Sequence, residues 1–312
     1  MKACFLPLPL AVLLLGCTHL SPAMQKTEAS HKSWSEVTAN ESAASTYGEP
    51  ELIGTVTDKR LPEISGIAAS QSNKGIFWVH NDSGDRARVY AIDQTGKFVA
   101  EYTVPGATNI DWEDISLWRK ADGSSYLFLA DIGDNDRKRD HLVIYRIKEP
   151  VINGSNGVTE PATAYPFTFA DGKFDCEAMF INPTNGQIFL ITKTLNQSCG
   201  VYRLPLNQKP GELVVAEKLK GRKVTSIEQL RMVTAADTSP DGLRLAIRTY
   251  FGGFELTRSK DSEFESFFDQ HPAIINMPLL KQAEALCYSQ DGESLITTSE
   301  KLPAPIYRIT RR

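Results

Sequence analysis

The 312-residue sequence has no surplus of positive charge, because 34 Lys and Arg against 38 Asp and Glu leave a formal charge of -4. A nucleic-acid partner needs a basic face, and this composition supplies none. It also lacks an apolar run long enough to span a bilayer. The run from Phe5 to Leu15 follows the single charge of Lys2 and has the length of a secretory h-region, not of a membrane helix. No Gly-x-Ser-x-Gly elbow, Walker loop or His-Glu-x-x-His pair occurs, so no reaction can be read from a motif. Cysteine is scarce, with five residues in all, which leaves little room for a disulfide framework.

The apolar run closes on Leu14-Leu15-Gly16-Cys17, which resembles the bacterial lipobox. That resemblance implies that residues 1–17 are a lipoprotein signal whose Cys17 carries the lipid and anchors the chain in a membrane. Each buried methylene of such a lipid contributes about 0.8 kcal/mol. A plain signal peptide with a chance cysteine is the alternative. Thr18, not Asp, follows Cys17, a pattern like that sent to the outer membrane of a bacterial cell envelope. Residues 18–50 are rich in Ser, Thr, Ala and Glu without apolar periodicity and are expected to form a disordered tether. The folded body is expected over residues 51–312, as a monomer.

That body repeats. Ser65-Gly66-Ile67, Glu113-Asp114-Ile115, Glu177-Ala178-Met179, Thr234-Ala235-Ala236 and Glu284-Ala285-Leu286 each open a unit. An apolar second strand follows, and in most units a third strand carrying a tyrosine. Thr95-Gly96, Asn185-Gly186, Asp241-Gly242 and Asp291-Gly292 fall between strands, where hairpins need φ > 0. Radially repeated four-stranded sheets make an all-β protein, a β-propeller, because each small sheet buries its faces only against its neighbours. Five blades are expected, closed by an N-terminal strand at Glu51 to Thr57. Six is the alternative, since Val151 to Phe169 and Phe264 to Leu280 could hold further strands.

The repeats align chemically. Ser65, Glu113, Glu177, Thr234 and Glu284 should ring one mouth of the central channel, and Asn81, Asp131, Lys193, Arg248 and Glu300 should return to it from the second strands. Acids so crowded repel one another unless a cation offsets them. Asn81, Asp82, Asp111, Glu113, Asp131 and Asp134 form the expected metal set, and their oxygens suit calcium better than zinc. The competing reading is that Asp, Asn and Gly here only build turns. Lys193, Arg248 and Glu300 are the expected ligand-binding residues. His80, at a strand end, is a candidate base beside Glu177 and Glu284. Cys4 leaves with the signal; Cys176 and Cys199 are placed to form a disulfide in an oxidising envelope, with Cys287 buried and free.

The series Trp78 to Asp85, Asp111-Trp112-Glu113-Asp114, Ala130 to Asn135, Asp175 to Ala178, Thr234 to Gly242 and Thr298-Ser299-Glu300 resembles a family of secreted or lipid-anchored bacterial propellers. More distantly the chain is similar to phytase-like and gluconolactonase-type propellers, a likeness that implies calcium near the channel mouth and no particular substrate. Two functions fit. One is a lipid-anchored binding or structural module that engages an envelope protein, glycan or small anion. The other is a calcium-dependent hydrolase of phosphate esters, esters or lactones, with Glu177, Glu284 or His80 activating water.

Overall fold

The structure, a computed structural model, describes residues 46–154, 156–195, 199–219 and 231–312. The signal, Cys17 and most of the expected tether lie outside the described residues. The chain is almost wholly β. After β1 (Glu51–Val56) come β2 (Ile64–Ala69), β3 (Ile76–Asn81), β4 (Arg88–Asp93) and β5 (Phe98–Thr103), paired in that order. The next unit is β6 (Trp112–Arg119), β7 (Ser125–Asp131) and β8 (Leu142–Lys148), with β9 (Gly157–Val158) lying against β5 and β10 (Thr163–Phe169) completing the sheet. The third unit is β11 (Cys176–Ile181), β12 (Ile188–Thr192), β13 (Val201–Arg203) and β14 (Val214–Lys218). The fourth is β15 (Val233–Thr238), β16 (Arg244–Thr249), β17 (Gly252–Thr257) and β18 (Ala273–Ile275). Finally β19 (Ala285–Tyr288), β20 (Ser294–Thr298) and β21 (Ala304–Thr310) pair in turn, and β1 adds to β21 as the fourth strand.

The inner strands close a ring. β2 packs on β6, β6 on β11, β11 on β15, β15 on β19, and β19 returns to β2. This is a propeller. The two stretches suspected of hiding another unit supply outer strands instead: β9 and β10 from the first, β18 from the second. A parallel pairing of β10 with β14 joins the second and third units into one eight-stranded sheet.

Burial follows from this layering. Every residue of β11 is buried, because an inner strand has a neighbouring sheet on both faces. Separate apolar clusters fill successive interfaces. Trp78 and Ala68 meet Trp112, Leu129 and Tyr145 between units one and two, while Phe180, Phe189 and Ile191 meet Val233 and Ile247 between units three and four. A 3-10 turn, Phe264–Asp269, adds Phe264, Phe267 and Phe268 to the latter interface. The hairpin glycines Gly242 and Gly292 have φ of +71° and +75° and sit against Pro183 and Pro240 of the preceding units. Those contacts fit one turn under the next around the ring.

The folded body begins before Glu51. Tyr47 is 2% exposed and packs with Ala235, Ile275, Leu286 and Ile309, and the Gly48 amide donates to the Thr310 carbonyl at 2.8 Å. Residues 46–50 therefore belong to the propeller and not to the expected tether.

The expected disulfide is absent. Cys176 lies in the cluster between units two and three and Cys199 in that between units three and four, and neither is bridged. The Cys176 thiol instead donates to the Ile191 carbonyl at 3.2 Å. Proximity to one mouth of the ring brought the two cysteines near in sequence logic, but the intervening sheet keeps their side chains apart.

Candidate metal centre at the channel mouth

A β-bulge opens the inner strand of four units. The pairing slips between Ile64 and Gly66, Trp112 and Asp114, Cys176 and Ala178, and Val233 and Ala235. The extra residues are Ser65, Glu113, Glu177 and Thr234. A bulge re-aims one side chain out of the ladder, so the residues expected at the mouth are there for a backbone reason. Glu284 takes the equivalent place immediately before β19.

Backbone bonds fix two further rings. The amides of Asp82, Gly133, Lys193, Tyr250 and Glu300 donate to the carbonyls of Glu63, Asp111, Asp175, Met232 and Gln282 at 2.8, 3.1, 2.9, 3.3 and 3.1 Å. Each carbonyl residue stands two before its mouth residue. Asp-x-Glu in units two and three thus delivers two carboxylates to one place. Carboxylate oxygens of Asp82, Asp111 and Glu113 lie within 4.8 Å of one another, as do those of Glu113, Asp175 and Glu177. Glu113 belongs to both groups.

Burial and mutual repulsion act on these acids together. Burial, with the charges of Asp82 and Asp175, pushes Asp111 up to about 7. Burial and the Glu177 charge hold Glu113 well above the usual carboxylate range. Burial likewise pushes Glu177 up to about 8, although Lys193 opposes it. The Lys193 ammonium pairs with Glu177 and reaches the Tyr250 hydroxyl at 3.3 Å. Beyond it, Tyr250 donates to Glu284 at 2.7 Å. Glu284 and Glu300 share a side-chain hydrogen bond, and burial followed by that contact pushes Glu300 up to about 9.

Two observations show that the site fits a hard cation. Glu177 Oε2 is buried with no hydrogen-bond partner, which is costly for a carboxylate unless something else meets it. Gly133 is the second. A Cβ there would stand 2.3 Å from both Asp111 Oδ2 and Glu113 Oε1, so only glycine lets the two carboxylates converge. A donor set made wholly of carboxylate oxygen suits calcium or a similar hard ion.

Several expected members lie elsewhere. The Asn81 amide donates to the Arg60 carbonyl and to Asp85, both at 2.8 Å, and so ties its own loop to the segment before β2. Asp131 is held by the Arg139 guanidinium and accepts the Asp111 amide at 2.9 Å. Asp134 accepts the Lys138 and Arg139 amides. These two acids are the supports of the site and not its donors. His80 is fully buried, stacked edge-on against Trp112 at 5.5 Å, and burial lowers its pKa. It lies within the interface between units one and two.

Arg248 stops two residues short of Tyr250, the residue that stands at the mouth. It pairs with Ala235 inside the ladder, on the strand side of the bulge at Thr234. Its guanidinium is 1% exposed, burial lowers its pKa to about 10, and Nη2 reaches the Pro278 carbonyl at 3.3 Å. Tyr250 occupies the place that Arg248 was expected to fill. Trp112 is fully buried and donates to the Thr108 carbonyl at 3.0 Å.

Asp175 and Tyr250 were not among the expected site residues. Asp175 had a signal, since Asp175-Cys176-Glu177 repeats the spacing of Asp111-Trp112-Glu113. Tyr250 had none, because no acidic or basic pattern marks it.

No family model and no curated protein matches the chain. Among solved structures it is similar to a gluconolactonase from Xanthomonas campestris, described as important in glucose secondary metabolic pathways, with 10% identity and a TM-score of 0.46 over 86% of this chain and 89% of that one. The strand pairings and the ring closure described above carry the fold assignment, and the carboxylate geometry carries the functional one.

Proposed function

We propose that the protein is a lipid-anchored propeller of the bacterial cell envelope, which holds a divalent cation, calcium first, at its channel mouth and binds an anionic envelope ligand there. The observation that carries this reading is the convergence of Asp82, Asp111, Glu113, Asp175 and Glu177 from three units. Their separate burial would be unfavourable without a counter-charge, and with Lys193 and Arg139 nearby Asp111, Glu113 and Glu177 are still held above the usual carboxylate range. Asp111, Glu113, Asp175 and Glu177 would hold the ion, with Asp82 completing the rim. A bound cation would supply an electropositive centre able to engage phosphate or carboxylate oxygen. Lys193, beside it, would steady the same anionic group.

Calcium titrated into chelator-treated protein is expected to raise the melting temperature. Glu113→Ala or Asp175→Ala should abolish that rise, whereas Asn81→Ala should leave it. An equal rise in all three variants would refute the site. For the anchor, labelling with palmitate is expected in the wild type and not in Cys17→Ala; label retained by that variant would disprove lipidation at Cys17.

One observation favours the hydrolase alternative. Glu284 and Glu300 share a hydrogen bond beside Tyr250 and Lys193, and a carboxyl that keeps its proton near neutrality can act as a general acid. Glu300 or Glu284 would then protonate a leaving oxygen while Lys193 holds the anionic end of a phosphate ester, ester or lactone. Calcium-dependent turnover of one of these substrates that falls at least about a hundredfold in Glu284→Gln would support it. The absence of calcium-dependent turnover across all three classes rejects it.

A further inference from the structure

The far end of the ring carries a second opening with different chemistry. A cavity of about 580 Å3 lies where the inner strands finish, and Ala69, Arg119, Ile181, Thr238 and Tyr288 line it, one from each unit. None of the acids of the metal centre lines it. Asp114, from unit two, accepts the Met179 amide of unit three at 2.9 Å and the Ala236 amide of unit four at 3.4 Å. A unit-two side chain thus reaches unit four between this cavity and the acidic mouth.

Charge at this end is arranged with a gradient. Arg119 and Lys120 line the cavity from one side. Arg119 is exposed, and the Lys120 ammonium rests 5.7 and 5.5 Å from the Trp118 and Tyr126 rings, not on a carboxylate. Across the cavity stands Asp237, whose carboxylate accepts the Thr238 amide at 2.9 Å and the Tyr288 amide at 2.8 Å. Each of its oxygens keeps a further lone pair for a donor. Leu117, Ala121 and Pro183 supply apolar wall, and Gln71, Thr184 and Ser289 supply polar wall.

We infer that this cavity is a binding site for a small carboxylate that also carries a hydroxyl or ammonium donor. The planar fork of Arg119 matches a carboxylate in bidentate fashion, Lys120 adds a point charge, and Asp237 accepts the donor from the opposite side. The volume falls within the range of small-molecule sites, roughly 300–1,000 Å3. This site is separate from the metal centre and does not depend on it.

The test is calorimetric titration of the full chain with tartrate, lactate and alanine at about pH 8, where Asp237 is ionised, and in EDTA so that the acidic mouth carries no cation. At least one of the three is expected to bind saturably. Arg119→Ala, an exposed change that leaves the core intact, should weaken that binding by about tenfold or more, as expected for loss of a charged bidentate contact. Ala121→Trp, which fills the cavity from its rim, should abolish it, while Glu113→Gln at the opposite mouth should leave it unchanged. No binding by any of the three overturns the proposal. So does binding that survives Ala121→Trp or that Arg119→Ala leaves at full strength.

Discussion

The Tyr47 hydroxyl donates to Glu255 Oε1 at 2.5 Å, joining residues 208 positions apart, and the Tyr288 hydroxyl donates to the same oxygen at 2.8 Å. The segment before β1 therefore plugs the seam between units four and five, next to the place where the ring closes. Tyr47→Phe keeps the ring packing and deletes one bond to a buried carboxylate. A loss of about 1.5–3 kcal/mol is expected, read as a lower urea midpoint with an unchanged m-value. No change in the midpoint would mean that the seam does not use this contact.

A second tie joins units one and two. Glu149, 4% exposed, accepts the Ser70 hydroxyl, the Gln71 amide, the Ser72 amide and hydroxyl, and the Trp78 indole N–H. Removing the acceptor leaves these donors without it in a loop clamped against the sheet. Glu149→Ala is expected to cost more than about 3 kcal/mol, and Glu149→Gln less, since one acceptor oxygen remains. Equal losses for both variants in denaturant unfolding would contradict this account.

Gly133 tests the metal centre without touching a donor. Gly133→Ala places a methyl where Asp111 Oδ2 and Glu113 Oε1 now lie, 2.3 Å away, so at least one carboxylate must move. The calcium-induced rise in melting temperature is expected to shrink or vanish while the protein still folds. A full calcium response in that variant would show that the two carboxylates are not held together by the site.

The propeller was legible in the sequence because its evidence is periodic: five similar strand openings, recurrent turn dipeptides and a tyrosine in most third strands. The mouth residues Ser65, Glu113, Glu177, Thr234 and Glu284 were legible for the same reason. What periodicity cannot show is a bulge. The slip at Glu113 and its equivalents changes which second-strand residue faces the axis, so counting placed Asn81 and Arg248 at the mouth where the backbone places Asp82 and Tyr250. Asp131 and Asp134 have the right chemistry, but Arg139 and two loop amides already occupy them. Composition shows which groups can bind an ion and not which ones are already bound to protein. Cys176 and Cys199 failed similarly, because nearness along one edge says nothing about which side of a sheet each thiol occupies.

The cysteines give a prediction of opposite sign from the one expected of an envelope protein. With Cys176, Cys199 and Cys287 unbridged and buried, a reducing agent should leave the melting temperature unchanged. A thiol reagent should label these residues only after unfolding. A fall in melting temperature on reduction would establish a bridge that the sheet geometry excludes.

Asp237 sets a pH dependence at the far end of the channel. Burial pushes it up to about 7, against the opposing pull of the Tyr288 and Thr238 amides, whereas an aspartate in the unfolded chain titrates near about 4. Between those values the folded protein keeps a proton that the unfolded chain has released. Stability therefore falls as pH rises through that window and levels off above it. The contribution is fully present at low pH and lost by about pH 8, the reverse of a salt-bridged carboxylate. Urea unfolding in EDTA at pH 5 and pH 8 should show the wild type losing more stability over that interval than Asp237→Asn, whose side chain does not titrate. Comparing the change with pH, and not the stability at one pH, removes the constant cost of turning an amide N–H toward a backbone donor. Parallel pH profiles for the two proteins would mean that Asp237 is ionised in the fold at every pH tested.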